Sequence, residues 1–181
     1  SEDLAKIITI LRQENHFITK LTVRQLVGFG RFPYSKGRLN KDDNIIISKY
    51  IDFLGLKDLE NRYLNELSGG QRQRAYVAMV LSQETKYVLL DEPLNNLDVA
   101  RSVSMMKHLR EVCDHFQKTI IVVMHDINFF AQYSDNICAM KGGKIVAYGK
   151  VSEIMNEKLL SDIYETEINI IDSPKGKLAI Y

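Results

Sequence analysis

Apolar positions change their period several times along the chain. Leu4 and Ala5 read as the end of a helix, and residues 7–11, Ile-Ile-Thr-Ile-Leu, as a short buried strand closed by polar Arg12-Gln13-Glu14-Asn15. From Leu21 to about Glu84 the period is helical. Ile47, Tyr50, Ile51 and Leu54 share one helix face that Gly55 stops, and a second helix opens at Ser68-Gly69-Gly70 with Ala75, Ala78, Met79 and Leu81 inward. The unbroken run 87–90 then predicts a buried strand ending in Asp91-Glu92-Pro93. Val99, Val103, Met106, Leu109, Cys113 and Phe116, at steps of four and three, predict a helix, and 119–124 a further buried strand ending at His125-Asp126. Residues 136–140 and 144–148 read as strands turning at Gly142-Gly143, and 168–171 and 178–181 as a hairpin around Ser173-Pro174-Lys175-Gly176.

Strands alternating with helices predict an α/β layer architecture on a mostly parallel sheet, with the helical stretch of about 21–84 inserted between 1–20 and 85–181. At 181 residues, with 45% hydrophobic and 26% charged positions, the chain has the length and composition of one globular domain. Its 24 basic and 23 acidic residues give a net charge of +1, which offers no electrostatic reason for a nucleic-acid partner. Cys113 and Cys138 lie far apart without ligand-like spacing and are expected to be buried, reduced thiols of a cytosolic protein. His16, His108 and His115 have no ligand-like spacing either. The opening residues show no secretory pattern, and the apolar run 120–124 is far short of the ~20 residues of a membrane span, so work at a membrane is expected from the aqueous side.

Ligands of open α/β sheets bind beyond the carboxyl ends of the strands, where this chain places Gln13, Asp91-Glu92 and His125. A serine and two glycines at a helix start leave amide N–H groups open along the positive end of the helix dipole, an anion cradle suited to phosphate. The alternative for Ser68-Gly69-Gly70 is a helix cap with no ligand. Of two carboxylates leaving a strand, one can hold magnesium and the next can polarise a water; a solvated loop start is the plainer reading.

Taken together these residues resemble the ATP-binding subunits of ABC transporters. Leu67-Ser68-Gly69-Gly70-Gln71 matches the LSGGQ signature without substitution, and 87–92 the Walker B strand with its following glutamate. Asn95-Asn96-Leu97-Asp98 is similar to the D-loop, His125 to the switch histidine and Gln13 to the Q-loop glutamine, so the resemblance covers essentially the whole chain. It implies a P-loop NTPase-like (RecA-like) core with an inserted helical signature subdomain, and ATP with Mg2+ as ligands. It assigns Gln13 to magnesium, the attacking water and relay to the subdomain. Asp91 goes to magnesium, Glu92 to the general base and His125 to the γ-phosphate. Ser68, Gly69, Gly70 and Gln71 go to the ATP of the opposite subunit in a head-to-tail homodimer, and Asp98 to the interface.

The family's GxxxxGK[ST] loop occurs nowhere in the chain. The expectation is an N-terminally truncated subunit, inactive alone. The stretches Thr22-Val23-Arg24-Gln25-Leu26-Val27 and Gly30-Arg31-Phe32-Pro33-Tyr34, with His125-Asp126-Ile127-Asn128, resemble the iron-siderophore importer branch. That branch implies membrane permease subunits as direct partners, a substrate-binding protein as an indirect one, and a place on the inner face of the cell membrane. Phe32 and Tyr34 either pack the subdomain or flank the groove for a permease helix. The alternatives are a non-hydrolysing ABC-like docking module, or the ATPase of a metal-ion or non-transport ABC system.

Overall fold

Three predominantly apolar runs pair into a parallel sheet: β1 (Ile8–Leu11), β2 (Tyr87–Asp91) and β3 (Thr119–Val123), in the order β1-β2-β3. The computed structural model describes residues 2–12, 20–95, 97–174 and 176–181. They form two units, Ser1–Met124 and His125–Tyr181. The register sets Thr9 beside Val88 and Ile120, and Leu11 beside Leu90 and Val122, on one sheet face. Side chains alternate along a strand, so Ile10, Leu89 and Ile121, also in register, share the other face. The first face is covered: Leu11, Val88 and Leu90 are at most 1% exposed. The second is not, since Ile10 is 56%, Ile121 49% and Val123 51% exposed. The expectation that 119–124 would be a buried strand is therefore corrected. β3 has a single strand neighbour among the described residues, and one face of its apolar run meets solvent.

α1 (Glu2–Ala5) precedes β1, and the stretch expected to be helical contains α2 (Val23–Phe29), α3 (Phe32–Ser35), α4 (Lys41–Phe53) and α5 (Gly69–Ser82). Thr22 and Asn40 cap α2 and α4 through reciprocal boxes with Gln25 and Asp43. Ile47, Tyr50, Ile51 and Leu54 of α4 are buried as their spacing predicts, and Gly55 ends the helix at φ +62°. α5 buries a broader side than expected, Ala75 to Ala78 with Val80, Leu81 and Ser82, while Met79 is only half-buried. Arg31 joins α3, α4 and α5: its Nε donates to Asp43 Oδ1 at 2.9 Å, its Nη1 donates to the Ser82 carbonyl at 2.9 Å, and its guanidinium lies 4.1 Å over the Tyr34 ring.

α6 (Val99–Phe116) buries Ser102, Met105, Met106, Leu109 and Val112. The expected face through Val99, Val103 and Cys113 is thus rotated; Val99, in the first turn, is 75% exposed. Neither cysteine is a buried thiol as expected: Cys113 is intermediate and Cys138 exposed.

The second unit contains α7 (Ile127–Tyr133), the hairpin β4 (Asn136–Lys141) and β5 (Lys144–Lys150), α8 (Val151–Ile154), α9 (Glu157–Tyr164), and the hairpin β6 (Asn169–Ser173) and β7 (Gly176–Ile180). Gly142 and Gly143, at φ +57° and +74°, make the tight turn that the sequence predicts. Ile127, Met155, Leu160, Ile168 and Ala179 form its core. Asn128 locks α7 to β7 by accepting from the Ala179 amide at 2.8 Å and donating to its carbonyl. No helix among the described residues is long and apolar enough to cross a membrane.

Candidate functional site

The glycine-rich turn opens α5 as its spacing predicts. Ser68 is the N-cap, its Oγ accepting from the Gln71 amide at 3.3 Å while Gln71 Oε1 accepts from the Ser68 amide at 2.9 Å. The first amides of any α-helix have no partner inside it, which leaves those of Gly69 and Gly70 at the positive end of a 14-residue helix, with Gly69 exposed and Gly70 buried. The two glycines differ in their surroundings. A methyl group added at Gly69 would meet nothing within 4 Å; one at Gly70 would come within 2.9 Å of Arg101 Cδ. The exposed Ser68 hydroxyl and the open approach at Gly69 suit this turn to an anionic oxygen cluster.

Asp91 is the last residue of β2, exposed, in register with Val123. Glu92 follows in the left-handed region at φ +48°, which a residue with a side chain occupies at a cost of about 1–3 kcal/mol. The turn holds it there: the Glu92 amide donates to the Val123 carbonyl at 3.0 Å, and the Asn95 amide donates to the Glu92 carbonyl at 3.2 Å. Asn95 Nδ2 also donates to the Glu92 carboxylate. The sequence places Asn95 at the head of the D-loop-like stretch but does not show that it holds Glu92. The available signal was an Asn three residues after a Glu, with a Pro between them to force a turn.

Asp98 caps α6, its Oδ1 accepting from the Arg101 amide at 2.8 Å, and its Oδ2 lies 3.3 Å from Arg101 Nε. Through Arg101 the structure brings Asp98 and Gly70 together. His125 is exposed, two residues beyond β3, and opens the second unit, where Asp126 caps α7 by accepting from the Asn128 and Phe129 amides. Gln13 lies outside the described residues. Among the described residues the first unit thus holds a serine-capped, glycine-rich helix start and a carboxylate pair at a strand end.

Comparison with known proteins agrees. Residues 1–95 match the ABC transporter family. The petrobactin import ATP-binding protein FatE of Bacillus anthracis is 73% identical over all 181 residues, which span 72% of that protein's length. The petrobactin import ATP-binding protein YclP of Bacillus subtilis is 45% identical over the same 181 residues, again 72% of its length. Among solved structures, a transporter described as metal-chelate type, in an inward-facing conformation, matches 97% of this chain and 72% of its own at a TM-score of 0.87 and 21% identity, a likeness of fold. The chain belongs to the ABC transporter family, as an ATP-binding subunit of the ATP-hydrolysing kind.

Proposed function

We propose that this subunit powers import of an iron(III)-siderophore, with petrobactin the first candidate, by ATP-driven closure of two copies head to tail. Relatives named for petrobactin import, at 73% and 45% identity, support the cargo. The observation that carries the mechanism is the open α5 terminus, where the Ser68 hydroxyl and the Gly69 and Gly70 amides, shaped by Gln71, present donors to the γ-phosphate of ATP held by the other copy. Asp91 and Glu92 are hard oxygen donors at a strand end. Asp91 fits a magnesium ion of the kind bound by one or two carboxylates and substrate phosphates, with Gln13 as a further ligand and Glu92 left for the attacking water. When bound, that ion neutralises charge on the phosphates. Glu92 orients and deprotonates the attacking water, His125 donates to the γ-phosphate, and Asp98 lies at the closing interface. Exposed Phe29 and Phe32, 47% and 59%, support docking of the helical subdomain on a membrane permease at the cytoplasmic face, with a substrate-binding protein delivering cargo on the far side. Tyr34 instead packs within the subdomain, its hydroxyl donating to the Gln83 carbonyl at 3.0 Å.

The test uses this subunit in P-loop-bearing form, as the sole one of its class in a cell offered radio-iron as petrobactin. Glu92→Gln keeps ATP binding, lowers hydrolysis by about 10²–10⁴-fold, abolishes iron uptake and accumulates as an ATP-bound dimer on gel filtration. Uptake of haem or cobalamin without any from siderophores would overturn the cargo. A Glu92→Gln protein that stays monomeric with ATP would overturn the closed dimer.

A further inference from the structure

We infer that Arg101 is a positioning residue for ATP hydrolysis: it ties the D-loop carboxylate of Asp98 to the signature turn of the same subunit, so that both reach the nucleotide as one piece. The inference rests on the proposed reading of Ser68, Gly69 and Gly70 as phosphate contacts of a closed dimer. Both oxygens of Asp98 are engaged by the one residue, Oδ1 by its amide at 2.8 Å and Oδ2 by Nε at 3.3 Å. A carboxylate held at two points does not rotate without giving up one of them. On its other side the Arg101 stem lies against Gly70. A methyl there would come 2.9 Å from Cδ, closer than real side chains sit, with Nε and Cγ at the ordinary contact distances of 3.4 and 3.7 Å. A side chain at position 70 therefore requires the Arg101 stem to shift, although Gly69 next to it is open. Any displacement of Asp98 on closing moves the side chain seated on the second signature glycine, and the reverse.

Folding does not explain the arrangement. The Arg101 and Asp98 side chains are 54% and 57% exposed, and surface ion pairs of this kind contribute little to stability. What the contact supplies is geometry.

The P-loop-bearing protein with Glu92→Gln is titrated with ATP and magnesium, and closure is followed by gel filtration alongside the melting temperature. Adding Arg101→Ala raises the ATP needed for half-maximal closure about fivefold, the size of a modest intersite coupling, and leaves the melting temperature unchanged. Arg101→Lys, which keeps a stem and a cation, recovers most of the loss. Asp98→Asn keeps a helix cap but removes the charge pair, and in that background Arg101→Ala has no further effect. Unaltered closure in Arg101→Ala, additive losses with Asp98→Asn, or a loss matched by a fall in melting temperature would each overturn the inference while leaving the dimer intact. A parent that never closes overturns the dimer reading and this inference with it.

Discussion

Buried charge decides the behaviour of Arg31 and Asp43, whose side chains are 8% and 2% exposed. Burial pushes the Asp43 carboxyl up. The Asn40 amide and the Arg31 hydrogen bond and charge outweigh it, so the group titrates below the usual carboxylate range. A carboxyl depressed in the folded state stabilises fully above its unfolded value of about 3.9, and that contribution is lost as pH falls through the folded value. Asp43→Asn leaves Arg31 as a buried cation without its partner, at a cost of about 3–5 kcal/mol at neutral pH. Urea unfolding at a series of pH values should show the gap between wild type and variant narrowing below about pH 4. A gap constant down to pH 2 would show that Asp43 does not carry this acid sensitivity.

Among the helices, the tightest approach is where the end of α2 meets the end of α5. Gly30 sits there in ordinary helical conformation, φ −61°, so its need for glycine is one of space. A methyl at this position would lie 2.0 Å from the Met79 carbonyl oxygen and 2.2 Å from Ser82 Oγ. Ser82 has nowhere to go, since it is fully buried and its hydroxyl lies 2.8 Å from the carbonyls of both Val27 and Met79, sharing its one proton between them. Gly30→Ala forces the two helices apart and is expected to cost about 3 kcal/mol, the upper range of overpacking. Gly69→Ala, which meets open space, should stay within about 1 kcal/mol of wild type. Chemical denaturation of the pair checks this, and equal losses would remove the steric account.

At the scale of the whole chain, the bare sheet face of the first unit governs solution behaviour. Parallel sheets are normally covered on both faces, yet Ile10, Ile121 and Val123 leave this one half-exposed. Fully burying one such side chain is worth about 1.5–3 kcal/mol, so a second copy covering several of them would associate measurably. Light scattering of the 181-residue chain should detect self-association that Ile121→Lys reduces. A monodisperse wild-type monomer would show that this face tolerates water.

The strands, the α4 face, the Ser68 cap and the strand-end Asp91-Glu92 pair were legible in the sequence, while α7, α8 and α9 were not read from it. The legible features all rest on local rules: periodicity, capping chemistry, and an apolar run broken by carboxylates. The family resemblance was legible because its motifs are short and contiguous, and Leu67 to Gln71 alone carries most of it. What sequence reading missed depends on which surfaces meet. The sequence placed Met106 and Leu109 of α6 on the buried face, but only packing selected Ser102, Met105 and Val112 beside them over the equally apolar Val99 and Val103. β3 read as buried because an apolar run has the same spelling whether one or both of its faces are covered. The left-handed turn at Glu92, the fit of Gly30 against Ser82, and the seating of Arg101 between Asp98 and Gly70 arise from close approaches between residues distant in sequence or bent by a turn. No periodicity encodes such contacts, because each is a property of two surfaces and exists only once the chain has brought them together.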